Sequence, residues 1–157
     1  MIYIVTGLIG LALLGADQWL KSWITANLPL GEGQDLIPGF LELRTVHNYG
    51  AAWSSFSGMR WLLVVVTSAI VAAAAWVLAK KLVRHPLGRT AGMLIISGGL
   101  GNILDRLRLG YVVDMFNFQF INYPVFNVAD ICVVSGAILG AVYYLWFYEK
   151  YDRVKRK

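Results

Sequence analysis

Charge is scarce in this chain of 157 residues. Asp, Glu, Lys and Arg make up 15% of it, against about 25% in an ordinary soluble domain. Cysteine is nearly absent, and the single Cys132 cannot close an internal disulfide, so no disulfide framework holds the fold. The only histidines are His47 and His85, with neither an H-E-x-x-H nor a C-x-x-C spacing, which argues against a zinc site. What the chain has instead is apolar residues, at 58%, and a mean hydropathy of +0.61. That balance excludes a disordered chain, a solvated β-sandwich and a large soluble multidomain enzyme. The length fits one domain, residues 1–157.

The apolar residues fall into runs of membrane-spanning length. The first, about 2–24, is interrupted by Asp17, Gln18 and Lys21. No basic segment precedes it and no small-residue cleavage site follows, so the sequence predicts a retained span. The others lie at about 61–79, 87–107 and 126–148. Pro29, Gly31, Gly33, Pro38 and Gly39 punctuate the stretch after the first run, and 40–46 alternates as a strand does. The fold class expected is therefore an all-α integral membrane protein. Four transmembrane helices would carry a small extracytoplasmic β-structured element, about 28–56, between the first two.

Fourteen Lys and Arg against nine Asp and Glu could suggest nucleic acid. Here, however, Lys80, Lys81, Arg84 and Arg89 occupy one connection, and Lys150, Arg153, Lys155, Arg156 and Lys157 form the tail. Basic flanks of this kind mark cytoplasmic loops, so a membrane partner is expected and a nucleic acid is not. Both termini then lie in the cytoplasm, and segments 26–56 and 108–126 on the outer side.

Ionisable groups in such helices are costly and need partners or a function. Two dense groups flank the outer segment 108–126. In the run from Ser97 to Arg106, Asn102, Asp105 and Arg106 share a helix face, and the glycines permit close approach of a neighbour. Helix packing with an Asp105–Arg106 ion pair is the structural alternative; a phosphate loop is poorly supported, with no third glycine and no preceding strand. The second group is Phe126-Asn127-Val128-Ala129-Asp130, where Asn127 suits an N-cap and Asp130 the positive end of a helix. Capping alone would account for both, but not for Asp114 in the same layer. Two carboxylates at one site share a proton, so one can activate water while the other polarises a carbonyl.

Other chemistries find less support. Ser54, Ser55 and Ser57 have no evident base; Cys132 reads as core, His85 as a solvated loop residue and His47 as interfacial. Gly136 and Gly140 fit a helix-packing G-x-x-x-G. A small proton-coupled transporter or a membrane scaffold would use the same polar residues, although no inverted repeat is evident.

Taken in order, Asp17 and Lys21, the segment 48–53, the segment 98–106, Val112-Val113-Asp114 and the segment 126–130 resemble the lipoprotein signal peptidase (signal peptidase II) family over about residues 10–135. The resemblance implies an aspartic endopeptidase of the bacterial inner membrane. It would hydrolyse prolipoproteins on the N-terminal side of a diacylglyceryl-modified cysteine, as a monomer and with no cofactor or metal. Asp114 and Asp130 fall on the family's catalytic aspartates. Asn48, Asn102, Arg106 and Asn127 fall on positions that line or support its site, and Asp17, Lys21 and Asp105 on structural polar positions. Arg106 and Asn127 are expected to orient the carboxylates, and Asn48 and Asn102 to hold substrate or water. Trp53 and Met115 stand where the family often has Phe.

Overall fold

The computed structural model describes residues 2–153, so the basic residues Lys155, Arg156 and Lys157 lie outside the described residues. Four long helices dominate: α1 (Ile2–Asn27), α2 (Arg60–Ala79), α3 (Pro86–Arg108) and α4 (Val128–Trp146). Three strands, β1 (Gly33–Ile37), β2 (Leu41–Asn48) and β3 (Val112–Phe118), form one antiparallel sheet in that order. By length and composition, α2 and α4 are apolar enough to cross a membrane. Polar residues interrupt α1 and α3, and those residues build the site.

Helix α3 is the central post, packing against the other three. Its run of glycines explains how. A Cβ on Gly98 would strike the carbonyl oxygen of Ala129, and one on Gly101 would come within 2.7 Å of Asp17 Oδ2. The missing side chains let the backbones of α3 and α4 meet and admit a carboxylate from α1. Gly136 does the same from the α4 side, where a Cβ would lie 2.9 Å from the Ala91 carbonyl oxygen. Helix α2 buries only Val64. It leaves Trp61, Leu62, Val65, Val66, Ile70 and Trp76 exposed, a face suited to hydrocarbon rather than water.

The sheet corrects the sequence-based expectation. The β element was expected wholly between the first two helices, but its third strand comes from the connection between α3 and α4. The reason lies in burial. From Val112 to Met115 every residue is buried, so the polar–apolar alternation that reveals a half-exposed strand is missing. Successive side chains still point to opposite faces. Val113 and Met115 pack with Ile24 in the core under the sheet, while Val112 and Asp114 line a cavity on the other side. Pairing with β2 sets His47 opposite Val113 and Asn48 opposite Val112. The chain then returns so that Phe126 bridges Phe116 through backbone hydrogen bonds of 2.8 and 3.0 Å. That bridge delivers the start of α4 beside Asp114.

His85 is also not the solvated loop residue expected. Its ring nitrogen caps α3 by accepting from the Leu87 N–H, and the ring stacks on Phe147 with centroids 4.4 Å apart.

The packing account is checked by Gly98→Ala. The added methyl collides with backbone that has nowhere to move, so a loss of about 1–3 kcal/mol is expected from overpacking. Gly15→Ala, whose Cβ meets nothing within 4 Å, is expected to be neutral or mildly stabilising, because alanine replaces a mid-helix glycine. Thermal unfolding of both variants in the same detergent makes the comparison.

Candidate active site

Asn127 is the hub. It is fully buried and forms the N-cap of α4 with extended backbone. Its Oδ1 accepts from the Asp130 backbone N–H at 2.8 Å, while Asp130 Oδ2 accepts from the Asn127 N–H at 3.2 Å. This capping box satisfies two helix-end donors reciprocally. The same Asn127 side chain donates from Nδ2 to Asp114 Oδ1 at 2.7 Å. One amide thus touches both acidic residues, one on a strand and one in the first turn of a helix. Asn127 therefore caps α4 and holds Asp114 at the same time.

Two further asparagines complete the shell. Asn48 Nδ2 donates to Asp114 Oδ2 at 2.9 Å, and Asn102 Nδ2 donates to Asp130 Oδ1 at 2.8 Å. All four carboxylate oxygens of Asp114 and Asp130 therefore have a donor. Asn48 and Asn102 orient the carboxylates, rather than reaching only for substrate or water as expected from sequence.

Arg106 behaves differently from its expected role. Its guanidinium donates to the Gly50 carbonyl at 2.7 Å and the Asn102 carbonyl at 3.5 Å, and its charge, not a hydrogen bond, acts on the two acids. It clamps the 48–56 segment over the site, while Asn48 Oδ1 accepts from the Gly50 N–H at 2.9 Å. Nor does Arg106 pair with Asp105. Asp105 Oδ2 instead meets Lys21 Nζ at 3.0 Å, and Lys21 also meets Asp17 Oδ2 at 2.9 Å. Asp17 Oδ1 accepts from the Ala129 N–H, and Asp105 Oδ2 from the Val113 N–H. The polar residues of α1 thereby reach α4 and β3.

Both aspartates line one cavity of about 300 Å³. Asn48, Asn102, Arg106 and the two acids supply one wall; Leu63, Ile70 and Val71 of α2 and Val133 and Val134 of α4 supply another. The α2 contribution was not evident from sequence, where 61–79 is uninterrupted by charge; Thr67 of α2 lines the cavity as well. Tyr123 also lines the cavity and meets Trp53 edge-on at 5.8 Å. An aromatic in a turn-rich segment gave no earlier sign of this. His47 stacks on Tyr111 with centroids 3.8 Å apart, and burial lowers its pKa below the usual histidine value. Cys132 is buried. Among the described residues, no group of three or more His, Cys, Asp or Glu is placed to hold a metal ion.

Burial pushes the Asp114 carboxyl up to about 7, and the charge of Asp130 adds to the shift; the hydrogen bonds from Asn48 and Asn127 oppose it. Only 2% of Asp114 is exposed, so removal from water dominates. A group in this state can hold or release a proton near neutral pH.

A family profile described as Signal peptidase (SPase) II matches residues 9–146. The chain belongs to the signal peptidase II family. Among its relatives, a lipoprotein signal peptidase of Lactococcus lactis subsp. lactis (strain IL1403) is 44% identical over 141 residues, covering 88% of each chain. That of Latilactobacillus sakei subsp. sakei (strain 23K) is 42% identical over 138 residues, covering 88% of this chain and 89% of the relative. That of Enterococcus faecalis (strain ATCC 700802 / V583) is 39% identical over 140 residues, covering 89% and 87%. A solved bacterial membrane enzyme superposes with a TM-score of 0.86 at 29% identity, covering 98% of this chain and 92% of its own. A second bacterial membrane enzyme gives 0.83 at 30% identity, covering 91% and 94%. As a signal peptidase II, the chain is a membrane protease, and its fold is that of membrane enzymes.

The raised Asp114 pKa has a consequence for stability. An acid whose pKa is higher in the folded state binds its proton more tightly there, so its stabilising contribution is complete below about pH 4 and is lost as pH rises through about 7. Asp114→Asn removes that loss. Whatever constant offset the substitution brings, the stability of the variant minus that of the wild type is expected to increase between pH 4 and pH 7 and then level off. Unfolding midpoints across that range test it; a difference independent of pH would contradict the raised value.

Proposed function

We propose that the chain is an intramembrane aspartic endopeptidase that removes the signal peptide from bacterial prolipoproteins, cutting on the N-terminal side of a diacylglyceryl-modified cysteine. The observation that carries this reading is the shared Asn127 amide, which links Asp114 to the Asp130 backbone on the wall of a cavity that is otherwise largely apolar.

In the proposed reaction one carboxylate is ionised and the other protonated. The ionised group takes a proton from water as the water oxygen attacks the scissile carbonyl carbon. The protonated group gives its proton to the carbonyl oxygen, forming a neutral tetrahedral diol. As the diol collapses, one hydroxyl proton passes to the ionised carboxylate and the other acid gives the proton it took from water to the amide nitrogen. The C–N bond breaks, leaving a carboxylic acid and an amine, and the pair again holds one proton. No covalent enzyme intermediate is needed. Asn48, Asn102 and Asn127 hold the four oxygens so that proton exchange needs little reorganisation. Arg106 acts one step away, by holding Gly50.

The membrane arrangement proposed is four spans, α1 to α4, with the 80–89 connection and both termini in the cytoplasm. The 80–89 connection and the C-terminal tail carry an excess of Lys and Arg, and an even number of spans puts the N-terminus on the same side. The sheet and the acids then face the outer side of the cytoplasmic (inner) membrane. The acyl chains of the substrate stay in lipid, and the backbone near its modified cysteine enters the cavity. The apolar α2 wall suits a hydrophobic signal segment. One chain supplies every residue named, so the working unit proposed is a monomer.

Cleavage of a prolipoprotein-like peptide by the purified protein in detergent tests the reading, with and without diacylglycerol on the cysteine. Only the lipidated peptide is expected to be cut. Asp114→Asn and Asp130→Asn are each expected to lower kcat by at least about 10²–10⁴-fold while remaining folded. Cleavage persisting in either variant would overturn the aspartate mechanism.

A further inference from the structure

Asp17 and Lys21 lie four residues apart on α1 and could serve merely to neutralise each other. Their geometry goes further. Lys21 is 3% exposed, and its Nζ has three partners: Asp17 Oδ2, Asp105 Oδ2 and Asn102 Oδ1, the last at 3.1 Å. An ammonium can only donate. Asn102 must therefore turn its carbonyl oxygen towards Lys21, and its amide nitrogen is left facing Asp130 Oδ1 at 2.8 Å. A second donor, Asn127 Nδ2, supports the same orientation from 3.2 Å. Were the Asn102 amide reversed, an oxygen would face the carboxylate, and Asp130 would have to carry a proton to remain paired.

We infer that Lys21 is a positioning residue for the reaction: by fixing the orientation of the Asn102 amide it keeps a donor, rather than an acceptor, against Asp130. This rests on the peptidase reading above and adds α1 to the machinery. Lys21 does not line the cavity that holds the two acids, so it acts on turnover rather than on substrate binding. Asp17 contributes from the other side, accepting from the Ala129 N–H at 2.9 Å, which fixes the residue next to Asp130.

Removing Lys21 alone would leave Asp17 and Asp105 buried without their cation, so the test uses two double variants. Lys21→Met/Asp105→Asn removes one positive and one negative charge together and leaves no donor at position 21, so that Asn102 Oδ1 keeps only Asn127 Nδ2. Lys21→Gln/Asp105→Asn makes the same charge change but retains an amide donor. Cleavage of the lipidated peptide is measured for both, for Asn102→Ala, for each double combined with Asn102→Ala, and for Asp130→Asn.

The methionine double is expected to lose about 100-fold in kcat, the scale of a misplaced catalytic group, with KM nearly unchanged. The glutamine double should recover about tenfold of this, roughly the worth of one hydrogen bond. In the Asn102→Ala background the two doubles should have the same kcat. Equal kcat for the two doubles with Asn102 present, or a difference that persists without Asn102, would overturn the role of Lys21. So would failure of both doubles to fold while Asn102→Ala folds, since Lys21 would then serve stability alone. Activity surviving in Asp130→Asn would instead remove the aspartate mechanism itself, and the inference with it.

Discussion

A single buried ammonium organises this molecule. Lys21 lies in α1 with two carboxylates and an amide around it, and each of those partners is tied to another element. Asp17 reaches the first turn of α4, Asp105 reaches the N–H of Val113 in β3, and Asn102 reaches Asp130. A charge removed from water is strongly destabilising unless it is paired and hydrogen-bonded. Helices α1, α3 and α4 and strand β3 are consequently tied to one another through the partners of Lys21. The glycines of α3 make that arrangement sterically possible, Gly101 above all, because its missing side chain is where Asp17 enters.

The asparagines pass this constraint on to the acids. An amide is neutral, offers donors on one side and an acceptor on the other, and is not ionised at any working pH. It can hold a carboxylate in place without fixing its charge as a lysine or arginine would. Around Asp114 the two amide bonds oppose the effect of burial without overcoming it, and the carboxyl is left at about 7. An arginine in contact would have favoured the ionised form outright. Arg106 hydrogen-bonds backbone carbonyls and reaches the acids only through its charge. In the proposed reaction that division of labour matters, because a pair of acids exchanging one proton needs neighbours that tolerate both protonation states.

Much of this could be read from residue order, and the remainder for definite reasons could not. Asp17 and Lys21, and the run from Asn102 to Arg106, stand out because polar residues inside apolar stretches must be explained. Phe126-Asn127-Val128-Ala129-Asp130 reads as a cap from spacing alone. Three things were hidden. β3 escapes notice because burial on both faces erases its alternation. The shorter hydrogen bond of Arg106 goes to a carbonyl 56 residues away, and a backbone acceptor carries no residue-type signal. The amide orientations of Asn48, Asn102 and Asn127 follow only from which donors and acceptors surround them. The Asp105–Arg106 pair weighed as the structural alternative does not form, for a related reason: neighbours in sequence point to different partners once Lys21 arrives from another helix.

The placement of the two acids also answers a physical conflict. Hydrolysis needs water, whereas electrostatic control of a proton needs its exclusion. A site deep in a bundle of apolar helices would control the proton but be short of water; a site on an exposed sheet would have the reverse problem. Here one acid sits on a strand and the other in the first turn of a helix, at the junction of sheet and bundle. The sheet side brings Asn48 and the clamped Gly50, and the bundle side brings the apolar wall of α2. For the proposed substrate, whose acyl chains would remain in lipid while one peptide bond meets water, that junction is the level at which both requirements hold together.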